Sequence, residues 1–205
     1  MRLKVAILTI ISVSLIALAI MGVYVYYENH RIGEALNLKE KTEVVNDVKD
    51  LHRTQEQAAS WIDKDDIGHD EATTSQKQVA QELREPENVL ALMANSLFEE
   101  DVELFSKVFE AGQLSSDLLE SDNANKIEVL EELMQAISRD GSLEDIALVD
   151  EGYTKDSYRT KVSFLYSDGI HRRVDLHMNY SGEDDKEVRV LMITDSLWDI
   201  ANQIN

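Results

Sequence analysis

The chain has 205 residues, with 40 Asp and Glu against 20 Lys and Arg, a net charge of −20 and no cysteine. That balance repels nucleic-acid phosphates and anionic membrane surfaces, so nucleic acid is excluded as a partner. The absence of thiols removes disulfides, thiolate catalysis, acylation through cysteine and Cys-based zinc sites together.

The first element is Val5 to Tyr27, VAILTIISVSLIALAIMGVYVYY, which contains no charged residue. As a helix rising about 1.5 Å per residue it would span roughly 34 Å, enough for a hydrocarbon core of about 30 Å. Arg2 and Lys4 precede it, and Tyr24, Tyr26 and Tyr27 close its far end, where amphipathic rings favour the headgroup level. The pattern predicts an uncleaved signal anchor with the N-terminus cytoplasmic and the rest of the chain extracytoplasmic. Ala17-Leu18-Ala19 offers a small-x-small cleavage site, but the apolar run continues past it to Tyr27.

From Glu28 to Arg84 the chain is polar and reads as a stalk. Within it Val44, Val48, Leu51, Gln55, Ala58 and Ile62 recur at alternating steps of four and three, a heptad seam of less than three turns of the repeat. Two readings follow: an amphipathic helix whose stripe packs on its own domain, or weak self-association through Val44, Val48 and Leu51. Asp63-Lys64-Asp65-Asp66-Ile67-Gly68 begins like a calcium loop, yet Ile67 and Thr74 stand where ligands are needed, so a solvated turn is expected.

The remaining segment, 85–205, reads as one domain. Pro86 can open a helix carrying Val89, Leu90, Met93 and Leu97, continued by Val102, Phe105, Val108 and Phe109 and ended by Gly112. The Glu99-Glu100-Asp101 cluster marks either a break or an exposed turn. Gln113 to Ser121 reads as connecting chain. A second helix, capped by Asp122 or Asn123, places Ile127, Leu130, Leu133, Met134 and Ile137 on one face and stops at Arg139-Asp140-Gly141. Residues 85–150 hold 17 acidic against 3 basic side chains, −14 of the total charge.

After Gly141 the period changes to two. Ile146, Leu148 and Val149 suggest a strand, and Tyr158, Thr160, Val162, Phe164 and Tyr166 form the inward set of the next. A three-residue loop, Ser167-Asp168-Gly169, pairs Val162 with Val174. A five-residue loop, Ser181 to Asp185, would then pair Met178 with Val188, Leu176 with Val190 and Val174 with Met192. Trp198 near the end would close the core. Helices followed by a meander predict an α+β fold with helices on one face of a curved antiparallel sheet of about four strands.

This order, from Glu87 to Gly112 and from Asn123 to Arg139 and on through the strands to Trp198-Asp199-Ile200, resembles the NTF2-like (cystatin-like) superfamily over roughly the last 120 residues. The family's usual ending is Trp, a basic residue and Ile; Asp199 holds the middle place here. The resemblance implies helices packed into a curved sheet whose last strand carries the Trp. It implies either a ligand pocket, as in isomerases and dehydratases, or a protein-binding domain, as in inner-membrane scaffold subunits of type IV secretion channels.

No phosphate loop, metal-spaced histidine pair on a helix or nucleophile elbow is present in the sequence. The inward strand residues supply only hydroxyls. We therefore expect no enzyme, no cofactor and no metal, and a single-pass membrane-anchored interaction or scaffold domain with an unidentified protein partner. The alternative is an anchored ligand-binding or enzymatic domain with an apolar pocket. The predicted register sets Arg159 opposite His177 and His177 opposite Arg189, a row of like charge that something acidic should cover. With Arg173 at its edge and Leu165, Leu191 and Ile193 beside it, this row is the candidate interaction face.

Overall fold

The computed structural model describes residues 17–23, 34–36, 43–51, 53, 74–153, 157–181 and 189–205. The chain divides into two compact units, Met1–Ile32 and Gly33–Asn205. In the first, residues 17–23 are helical, and Leu18, Ile20, Met21 and Val23 are each more than half exposed, Leu18 by 66%. Among the described residues no helix is long and apolar enough to cross a membrane. Most of the expected Val5 to Tyr27 span lies outside them, as do the calcium-like loop and the seam residues Gln55, Ala58 and Ile62.

The second unit is α+β. Helices α1 (Thr74–Glu82), α2 (Pro86–Glu99), α3 (Val102–Ser106), α4 (Ala111–Glu120) and α5 (Lys126–Ser138) precede the main strands, and α6 (Leu197–Ile204) follows them. Strands β1 (Glu34–Ala35), β2 (Leu143–Tyr153), β3 (Ser157–Tyr166), β4 (His171–Ser181) and β5 (Val190–Ile193) form one sheet in sequential order, each pair antiparallel.

Helix α2 is the centre of the helical layer. Pro86 supplies the fixed φ of a first turn, and Val89, Leu90, Leu92, Met93, Ala94 and Leu97 are buried nearly all round it. Its two buried polar side chains bond to nearby carbonyls: Asn88 Nδ2 donates to the Glu82 carbonyl at 2.8 Å, leaving its buried Oδ1 without a partner among the described residues, and Ser96 Oγ donates to the Met93 carbonyl at 2.7 Å. The acidic cluster is a break. Glu100 turns left-handed at φ 55°, and Asp101 caps α3 by accepting the Leu104 N–H at 2.9 Å.

Three expectations are corrected. Gly112 does not end a helix; it sits in the first turn of α4, where the Glu110 carboxylate accepts the Gln113 N–H at 2.8 Å and Leu114 and Leu118 supply the packing stripe. Ile127 is 62% exposed, because α5 starts only at Lys126 and its buried stripe begins at Val129. Trp198 lies on α6 rather than on a strand, since Ser196 Oγ accepts the Trp198 N–H and opens a helix. Residues upstream of Glu85 contribute to the core. Val45 is 2% exposed and joins Val48 and Val79 in the core, and Leu51 packs against it. Of the described seam residues, Val48 lies in the chain's own core and Leu51 packs against it.

The β3–β4 hairpin has the expected register, Val162 facing Val174 and Thr160 facing Leu176. Gly169 at φ 78° makes its turn, with the Tyr166 N–H bonded to the Ile170 carbonyl at 3.1 Å. The β4–β5 register differs. Ser181 faces Val190 and Met178 faces Ile193, so the connection is longer than five residues and the parity of β5 reverses. Leu191 and Ile193, 2% and 0% exposed, point into the core in place of Val190 and Met192. What holds β5 here is its outer edge: the Leu191 N–H donates to the Leu83 carbonyl at 2.9 Å, the Ile193 N–H to the Val108 carbonyl at 3.0 Å, and Ile193 accepts from the Glu110 N–H at 2.9 Å.

Candidate functional site

The register correction reorganises the expected interaction face. Arg159 does lie opposite His177, and Arg173 opposite Ser163, as the hairpin dictates. Leu165 shares their face by strand alternation and is half-buried. Arg189 is not in the row. It enters β5 beyond the end of β4, with its guanidinium 5.6 Å from the Tyr180 ring centroid and its carbonyl accepting from Arg84 Nε at 3.3 Å. Leu191 and Ile193 are core residues and leave the face. The acid that compensates the row comes from nearby. Arg159 pairs with Asp175 at 3.3 Å, and the Asp195 carboxylate takes both His177 Nδ1, at 2.8 Å, and the His177 N–H. The cover is thus made by the sheet and the turn after β5.

The concave side of the sheet is filled. Val162, Phe164, Val174, Leu176 and Met178 have no exposed surface. The Tyr166 hydroxyl donates to the Ile137 carbonyl at 2.8 Å, while Arg139 stacks 4.8 Å over its ring and pairs with Asp168 at 3.0 Å. Burial pushes the Tyr166 phenol far above its ordinary range, so it serves as a fixed donor. Asp117, 2% exposed, is likewise structural: its carboxylate accepts the Leu197 N–H at 2.7 Å and Gln113 Nε2 at 2.9 Å, and its carbonyl accepts Trp198 Nε1 at 3.0 Å.

Open space lies instead on the helical layer. A cleft of about 430 Å3 is bounded by the C-terminus of α2, the start of α3 and the C-terminus of α5. Leu97, Val102 and Met134 give it an apolar floor; Glu100, Glu131 and Asp140 stand around it with Gln135, Ser138 and Gly141. Both helices stop there through left-handed residues, Glu100 at φ 55° after α2, and Arg139 at 50°, Asp140 at 55° and Gly141 at 79° after α5. The Asp140 N–H closes the α5 end on the Gln135 carbonyl at 2.9 Å, and the Gly141 N–H on Ser138 Oγ at 3.1 Å. Two helix C-termini add their partial negative charge to the three carboxylates. Among the described residues no lysine or arginine lines the cleft, and none of the three carboxylates has an ion-pair partner. No group of three or more His, Asp or Glu among those residues is placed to hold a metal ion.

The sequence contained both ends of this cleft as the helix break at Glu99-Glu100-Asp101 and the terminator Arg139-Asp140-Gly141. Their meeting is tertiary, and no spacing rule reports it.

No protein-family profile matches the sequence, and no curated protein matches it. Among solved structures, a crystal structure described as an NTF2-like transpeptidase from Campylobacter jejuni is similar over 55% of this chain and 100% of its own, with 15% sequence identity and a TM-score of 0.37.

Proposed function

We propose that the chain is a single-pass membrane-anchored, extracytoplasmic protein-interaction domain, an accessory or scaffold subunit of a larger envelope assembly. The observation that carries the anchorage is the uncharged run Val5 to Tyr27, whose described part is a helix with Leu18, Ile20, Met21 and Val23 all exposed. A helix apolar all round its circumference needs an apolar surrounding, and lipid supplies one. Binding is favoured over catalysis because the concave face of the sheet is occupied by side chains and its phenol at Tyr166 is committed to a backbone carbonyl.

An export-dependent reporter fused after Asn205 tests the reading. Activity of the reporter, together with retention of the N-terminus in the membrane-bound protein, is the expected result. A fusion active only in the cytoplasm, or a soluble chain cut near Ala19, would overturn the anchored topology.

A further inference from the structure

We infer that the cleft between the C-termini of α2 and α5 is the recognition site of this domain and that its occupant is a lysine- or arginine-bearing segment of a partner polypeptide. The inference rests on the interaction reading above and assigns it a surface and a chemistry.

Charge complementarity selects the occupant. Glu100, Glu131 and Asp140 face the cleft without a cation among the described residues, although other acids find one: Glu99 pairs with Lys49, Glu103 with Lys107, Asp168 with Arg139 and Asp175 with Arg159. A metal ion is the wrong cation, since the described residues offer no ligand set close enough to share one. The floor explains which cation fits. Val102 is partly exposed beside the nearly buried Leu97 and Met134, so an occupant gains by laying an apolar stem over it while its charged head reaches the carboxylates. Lysine and arginine have that form, a methylene chain under a cation. A volume of about 430 Å3 accommodates one or two such side chains with part of their backbone. An anionic lipid surface or a nucleic acid would meet two helix C-termini and three like charges, and is disfavoured.

The test uses the full chain in detergent micelles and a fluorescent hexalysine peptide, with hexaglutamate as its counterpart. Anisotropy at low salt should show saturable hexalysine binding that weakens as salt rises, and none of hexaglutamate. Glu100→Gln with Glu131→Gln and Asp140→Asn should weaken it about tenfold, the scale expected for three exposed ion pairs together. Neutralising three exposed acids elsewhere, Glu120→Gln, Asp122→Asn and Asp199→Asn, removes equal charge and should change affinity less than about twofold. Gln135→Arg, which places a cation from the chain itself in the cleft, should weaken binding as the triple variant does. With methyl-labelled methionine, the Met134 signal should move on peptide addition while that of Met178, buried in the sheet core, stays. Equal losses from the two triple variants, an unmoved Met134 signal, or no binding by the unaltered chain would each overturn the site. Because the reporter fusion reads topology alone, an exported domain that ignores hexalysine refutes the cleft only, and a cytoplasmic domain that binds it refutes the location only.

Discussion

Replacing Asp117 with alanine should be among the most damaging single changes outside the apolar core. The side chain is 2% exposed and joins two helices: it accepts the first N–H of α6 at Leu197, 2.7 Å away, and the amide of Gln113 one turn back on α4, at 2.9 Å. Truncation removes a hydrogen bond to a charged acceptor, worth about 1.5 to 3 kcal/mol, and leaves a buried N–H without a partner. The local dipole of α6 loses its counter-charge as well, at about 0.3 to 1 kcal/mol. Ser196 still caps the next N–H and limits the damage, so we expect a net loss of about 3 kcal/mol for Asp117→Ala. Asp117→Asn keeps an acceptor for Leu197 and lets Gln113 turn its amide, and should cost about 1 kcal/mol. Urea denaturation of the full chain, followed through Trp198, reads both, since the indole donates to the Asp117 carbonyl at 3.0 Å. Equal costs for the two variants, or less than about 1 kcal/mol for alanine, would refute the bridging role.

Val48→Glu should destabilise the 85–205 region by about 3 kcal/mol, because it places an unpaired charge in the core; urea unfolding identical to the unaltered chain would return residues 43–51, which are helical, to a separate stalk. Leu191→Lys should cost several-fold more stability than Met192→Lys, and the reverse order would restore the opposite parity of β5. Asp140→Gly should raise stability by about 0.5 to 1 kcal/mol by relieving the left-handed φ of 55°, read as a higher midpoint in thermal melts. Glu110 titrates below the ordinary carboxylate range because it accepts the N–H groups of Gln113 and Gly112. A depressed folded pKa gives stability that is present above the unfolded value, near 4, and lost as pH falls through the folded one; Glu110→Gln should therefore flatten the acid limb of the stability profile below about pH 5.

Much of the fold was legible because its determinants are local. Pro86 before an apolar stripe marks α2, and the hairpin between β3 and β4 follows from one glycine and the need to keep Val162 and Val174 on one side. Where local signals tie, the sequence is silent. Val190-Leu191-Met192-Ile193 is apolar on both parities, so either face satisfies a period of two; the choice is made by carbonyls of Leu83 and Val108, distant in sequence. Helix α4 was hidden for a similar reason. Leu114 and Leu118 are a thin stripe among serines, glycine and acids, and its stability comes from Asp117 and the Glu110 cap. The candidate face inherited the β5 parity, which is why Leu191 and Ile193 fell with it while Arg159 and His177 kept their places.

The distribution of pairs explains why the proposed recognition site is drawn on the helical layer and not on the sheet. On the outer face of the sheet the bases meet acids of the sheet or its turns, Arg159 with Asp175 and His177 with Asp195. In the helical layer the arithmetic cannot close. Residues 85–150 hold 17 acids and 3 bases, and of those bases Arg139 is taken by Asp168, Lys107 by Glu103, and Lys126 by the carbonyls of Ser121 and Asn123. A carboxylate on a convex surface is satisfied by water, so most of this surplus needs no partner. Glu100, Glu131 and Asp140 differ in standing around an apolar floor between two helix C-termini, whose partial negative charge adds to their own. Such a place suits an incoming cation. The surplus of acid is thus general, and its concentration at one cleft is the feature that gives the charge a direction.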